Sequence, residues 1–116
     1  MIEFTEGIYN FYVYILTNKA KTVLYTGMTN NLKRRLHEHK SKLNPNSFTA
    51  KYNVSYLLYY EHYGWVQQAI EREKEIKLMK RDRKLELIKN FNTNLDFLND
   101  TILLEMLSAG QTVRKK

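Results

Sequence analysis

Two stretches of the chain, FYVYILT at 11–17 and VLYTGM at 23–28, are runs of aromatic and β-branched residues separated by the polar NKAK. Such runs flanking a short polar break predict a β-hairpin. Alternation along the first strand places Tyr12, Tyr14 and Leu16 on one face and Phe11, Val13 and Ile15 on the other. Gly27 ends the second predicted strand, where backbone must bend or approach something closely. The run VSYLLYYE at 54–61 predicts a third strand.

Between the second and third strands the period changes. TNNLKRRLHEHKSKL offers Thr29 or Asn30 as N-cap, followed by Leu32, Leu36 and Leu43 at helical spacing. The one proline, Pro45, falls in the loop-like NPNS. After Gly64, WVQQAIEREKEIKLMK predicts a second helix, RDRKLELIKNF a third, and NLDFLNDTILLEMLSAG a fourth that Gly110 stops as C-cap, with QTVRKK as a disordered tail. The order β-β-α-β-α-α plus a C-terminal helix describes a mixed α/β (α+β) fold, a three-stranded, mainly antiparallel sheet flanked by helices. At 116 residues this is a single domain with one modest core.

Charge narrows the range of functions. Lys19, Lys21, Lys33, Arg34, Arg35, Lys40, Lys42 and Lys51 stand against the single acid Glu38 between positions 19 and 51, so this window carries the whole formal charge of +7 and the remainder sums to zero. Such a concentration suits a polyanion, most often nucleic acid. The absence of cysteine removes disulfide frameworks, thiolate zinc cages and thiol nucleophiles. No apolar run approaches a membrane span, and MIEFTEGIYN carries acids where a secretory signal carries bases. The expectation is a cytoplasmic protein.

One residue breaks the helical pattern. At roughly 100° per residue, Glu73 falls within the apolar stripe of the second predicted helix, close to Val66, Ala69, Ile70 and Ile76. Glu71 and Glu75 fall on the opposite, solvated side, where i,i+4 pairing with lysines accounts for them. A carboxylate among apolar residues is costly unless it is salt-bridged, hydrogen-bonded or bound to metal, so Glu73 is either half of a buried ion pair or a metal ligand. On the preceding helix, Arg35 and His39 flank the Leu32/Leu36 face and lean towards the sheet, whereas Lys33, Arg34 and Lys40 form a solvated basic face open to phosphate contacts. His37 and His39 face different directions, and His62 lies in a loop without companion ligands, so no zinc site is read.

With Tyr25-Thr26-Gly27, TNNLKRRLHEHK, FTAKYN before LLYYE, and AIEREKEIK in this order, the chain resembles the GIY-YIG endonuclease superfamily over about residues 11–98. It is most similar to small stand-alone members related to the nuclease domain of the bacterial excision-repair enzyme. Residues 1–10 then form a lead-in and 99–116 a helical extension with a basic tail. A literal Gly7-Ile8-Tyr9 competes for the first motif, but it lies 16 positions before Tyr25, ahead of the strand, while Tyr14 lies 11 before it. The resemblance therefore matches Tyr12-Val13-Tyr14 to the first tripeptide and Tyr25-Thr26-Gly27 to the second, with Thr26 where Ile is usual.

What the resemblance implies is metal-assisted hydrolysis of DNA phosphodiesters, in repair or recombination. It puts Tyr14 and Tyr25 on the attacking water, with His39 as relay or alternative base, and makes Arg35 the donor fork for the developing charge. Glu73 becomes the ligand of a single Mg²⁺ or Mn²⁺, and Gly27, Lys33, Arg34, Lys40, Lys51 and Asn92 line the nucleic acid. A competing expectation is a weakly active or non-catalytic nucleic-acid-binding module on the same fold. Nothing in the chain selects DNA over RNA, and affinity and sequence choice are either poor or supplied by a partner protein. The number of copies in the working assembly stays open.

Overall fold

The structure, a computed structural model, describes residues 10–102. Strand β1 (Phe11–Thr17) is the centre of a three-stranded sheet, with β2 (Leu24–Thr29) on one side and β3 (Tyr56–Tyr63) on the other, all antiparallel. The hairpin turn is closed by Asn18, whose Oδ1 accepts from the backbone N–H of Thr22 at 2.8 Å and of Val23 at 3.2 Å. Helix α1 (Leu32–Ser41) follows β2, and the short α2 (Phe48–Lys51) precedes β3; α3 (Val66–Lys77) and α4 (Arg81–Phe91) complete the layers.

The alternation read from β1 sets the two cores. On one face Val13 and Ile15 pack with Tyr59, Ala69, Ile76 and Ile88, beneath α3 and α4. On the other, Tyr14 and Leu16 pack with Leu32, Leu36, Val54, Leu57 and Ile102. A bulge between Ile15 and Leu16 shifts the β1–β3 register, so that Leu57 and Leu58 are both buried.

Several boundaries differ from the sequence expectations. Helix α1 is capped by Asn31, whose side chain accepts from the N–H of Arg34, not by Thr29 or Asn30. Thr29 instead ends β2 and its hydroxyl accepts from the N–H of Asn31. Gly27 lies inside β2 rather than at its end. His62 lies on β3, not in a loop, and its Nε2 is 2.7 Å from the Asn10 side-chain oxygen. Helix α2, capped by Ser47, had no sequence expectation; four residues carry too little periodicity to show. Of the predicted fourth helix only 99–102 is helical among the described residues, while Gly110 and the tail lie outside them.

Asn92 and Asn99 fasten the segment after α4 along the outer edge of β3. The Asn92 amide donates to the carbonyls of Leu58 and Asp96 at 3.0 and 2.8 Å and accepts from the Asp96 N–H at 3.1 Å. Asn99 bonds the N–H of Leu57 and the carbonyl of Ser55. Unpaired strand groups are thereby covered.

Candidate active site

The register Tyr14↔Gly27 and Leu16↔Tyr25 brings both motif tyrosines to the α1 face of the sheet. Gly27 is needed there because a Cβ built on it would stand 2.5 Å from Tyr14 Oη and 2.6 Å from Cζ. The ring of Tyr14 is fully buried and cannot swing away. Gly27→Ala is therefore expected to destabilise the fold by about 1–3 kcal/mol, read as a lower midpoint in a denaturant melt. The close approach read at Gly27 is thus to Tyr14, beneath the surface.

Helix α1 lays His39 over these rings. Its Nε2 lies 3.1 Å from Tyr14 Oη and its Nδ1 2.9 Å from Thr49 Oγ1, which Ser47 Oγ approaches at 3.3 Å. The imidazole meets Tyr14 and Tyr25 edge-on, at centroid distances of 5.9 and 5.8 Å. Burial, with the Arg35 charge beside it, holds His39 below the usual histidine range against the opposing pull of Glu38. A neutral ring carries one N–H, so one of its two bonds is donated and the other accepted. Burial, reinforced by the neighbouring Tyr25 and Glu73, pushes the Tyr14 phenol upward despite Arg35, so it is a neutral hydroxyl. Thr49 was not among the sequence candidates; FTAKYN signalled only its basic position, because a hydroxyl two residues before a lysine acquires meaning only once α2 is folded against α1.

Beside His39 opens a cleft of about 210 Å³ lined by Tyr25, Arg35, Glu38, Lys42, Ser47, Phe48 and Thr49 among others. Tyr14 lies beneath it rather than on its wall. The Arg35 Nε sits 3.2 Å from Glu38 Oε1, yet this buried N–H makes no hydrogen bond among the described residues. Lys33, Arg34, Lys40 and Lys51 are exposed around the same region of α1 and α2.

Glu73 arrives from the other side of the sheet. Arg72 is clamped by Glu61 of β3, with Nε and a terminal nitrogen each 2.9 Å from its oxygens. Tyr59 and Tyr63 donate to the same carboxylate, and Arg72 also reaches Glu75 at 2.9 Å. Burial would raise the Glu61 carboxyl, but the bonds from Arg72, Tyr59 and Tyr63 hold it below its usual range. This network, invisible to residue spacing because its members lie on different elements, fixes the rotation of α3. Glu73, one residue on, is turned by about 100°, close enough for its charge to be felt at Tyr14.

The Glu73 side chain is only 21% exposed, and its ion pair, at 3.3 Å, is with Lys77, itself 54% exposed. Its partner is thus a surface lysine and not a buried cation. The i,i+4 lysine pair belongs to Glu73, whereas Glu75 pairs with Arg72 at i,i+3. Among the described residues no three His, Cys, Asp or Glu side chains are grouped to hold a metal. A lone, mostly withdrawn carboxylate fits Mg²⁺ or Mn²⁺ bound largely through water and substrate oxygen.

The GIY-YIG catalytic domain model matches residues 10–86, two thirds of the chain and all the motifs above. The chain belongs to the GIY-YIG family. A UPF0213 protein of Syntrophus aciditrophicus is 41% identical over 78 residues, which cover 67% of this chain and 88% of that protein. A UPF0213 protein of Clostridium perfringens is 41% identical over 81 residues, covering 66% and 81%. The solution NMR structure of a UPF0213 protein from Bacillus halodurans aligns over 69% of this chain and 83% of that one, at 29% identity and a TM-score of 0.44. The family-model match gives this domain a nuclease-type fold. Among the described residues no helix is long and apolar enough to cross a membrane.

Asn92, beyond the matched residues 10–86, stands apart from the cleft's lining. Both its amide hydrogens and its oxygen are engaged with backbone, which suits a fastening of β3 better than a contact with nucleic acid.

Proposed function

We propose that this GIY-YIG domain is a divalent-metal-dependent endonuclease that hydrolyses phosphodiester bonds in DNA. The observation that carries the reading is the Arg35 side chain on the wall of a basic cleft beside the hydrogen-bonded His39. Its planar guanidinium, partly exposed there, matches a phosphate oxygen.

In this reading a phosphodiester lies in the cleft with an oxygen on Arg35, whose donors strengthen as equatorial charge develops. His39, neutral at physiological pH, takes the proton of the attacking water at Nδ1, where water replaces the Thr49 hydroxyl. Tyr14, from beneath, accepts the Nε2–H and so fixes the tautomer and the ring plane; it is a positioning residue. Tyr25 lines the cleft and orients water and phosphate. Glu73 would hold the ion, which when bound polarises the phosphoryl oxygen and stabilises the leaving oxygen.

A panel of supercoiled, nicked, branched and single-stranded DNA, incubated with Mn²⁺ or with EDTA, tests this. Cleavage of at least one substrate in Mn²⁺ and none in EDTA is expected; intact DNA throughout overturns it. The binding face has its own test. Three to five phosphate contacts give a log–log salt slope of roughly −3 to −5 on duplex DNA. Replacing Lys33, Arg34 and Lys40 together by Ala should flatten the slope without unfolding the domain. An unchanged slope moves the face elsewhere.

A further inference from the structure

Phe48 and Tyr52, at the start of α2 and just after its end, leave large rings 48% and 54% exposed. The rings are not scattered. Phe48 stacks on Tyr25, with centroids 6.1 Å apart and planes inclined by 20°, and Tyr52 follows at 4.8 Å from Phe48. With His39 against the inner edge of Tyr25, an aromatic row runs from the proton acceptor outward to solvent. Anchoring α2 does not require these rings, because Thr49 and Ala50 are its buried residues. The row borders the cleft that Arg35 and Lys42 line, and Lys51 stands exposed between Phe48 and Tyr52 in the chain. The one acid there, Glu38, is paired with Arg34 and Arg35.

Exposed flat rings flanked by cations suit a ligand that is planar and polyanionic at once, which favours a nucleic-acid strand over an apolar peptide. We infer that Phe48 and Tyr52 are a stacking platform for an unpaired nucleobase adjoining the scissile phosphate, so that the domain acts where bases are not paired. A paired base has its faces covered by neighbours and its edge by its partner, and offers no face to a ring fixed in a cleft wall; an unpaired base does. The inference rests on the nuclease proposal for the position of the scissile phosphate.

The test is fluorescence anisotropy in EDTA with three probes: a short single-stranded DNA, the same strand with abasic sites, and a blunt duplex. Phe48→Leu and Tyr52→Leu keep apolar bulk at exposed positions. Each should weaken binding of the normal single strand by about tenfold or more, and by a clearly larger factor than binding of the duplex. The wild-type protein should lose a similar factor on the abasic strand, an arm that stands even if a variant folds poorly. Equal affinity of the wild-type protein for normal and abasic strands overturns the platform. So do ring removals that leave single-strand binding untouched, as expected of a surface for apolar peptides. Base-dependent binding without Mn²⁺-dependent cleavage would support the platform and sink the nuclease proposal alone.

Discussion

Glu73→Gln should abolish Mn²⁺-dependent cleavage and leave the metal-free protein as stable as the parent or more so. The two readings of this residue separate here. Had Glu73 neutralised a buried cation, its loss would cost about 3–5 kcal/mol. Its partner is instead Lys77, 54% exposed, and exposed pairs contribute about 0–1 kcal/mol. Tyr14 is a neutral hydroxyl, so it has no charge that depends on the carboxylate of Glu73. Glu71→Gln, exposed on the solvated side, serves as the control and should alter neither property appreciably. Thermal melts with and without Mn²⁺, run beside cleavage assays, decide the matter. Retained cleavage in Glu73→Gln would remove the metal assignment.

His39→Ala should lower cleavage by about 10²-fold or more, the range of a positioned acid or base. Tyr14→Phe and Tyr25→Phe should fall in the same range. Tyr14→Phe removes the hydroxyl bonded to His39 and Arg35, each bond worth about 1 kcal/mol of stability, too little to explain such a loss through unfolding. If Tyr14 acts through His39, the double variant should be no slower than His39→Ala alone, since groups working as a unit are not additive. Tyr9→Phe should be silent, and equal sensitivity there would mean that the register of the motif is misassigned.

The pH profile adds a direction. Because burial and Arg35 depress His39, its neutral form persists below the ordinary value of about 6.5. The acid limb of cleavage should therefore lie below that value. The same shift gives stability that is complete above about 6.5 and is lost as pH falls through the lower folded value. An acid limb above 6.5 would contradict the assignment of His39 as proton acceptor.

Local pattern alone determined the fold class, the two faces of β1 and the Arg81–Phe91 helix, because strand alternation and helical period are properties of neighbouring residues. The apolar stripe of α3 likewise singled out Glu73, since a charge among Ala69, Ile70 and Ile76 is anomalous wherever the helix packs. Tertiary structure decided the rest. Tyr14 reads as a surface catalyst in the motif but lies beneath the cleft, because α1 closes over the face of β1 that carries it. Thr49 becomes a partner of His39 only when α2, too short to show a period, packs on α1. Asn92 looks available in sequence, yet the turn after α4 folds its amide onto the edge of β3. Glu61 and Arg72, 11 residues apart on a strand and a helix, meet through packing and set the angle at which Glu73 is presented. Contacts between elements depend on how the elements are docked, and that orientation is a property of the whole core, which no local window of the chain contains.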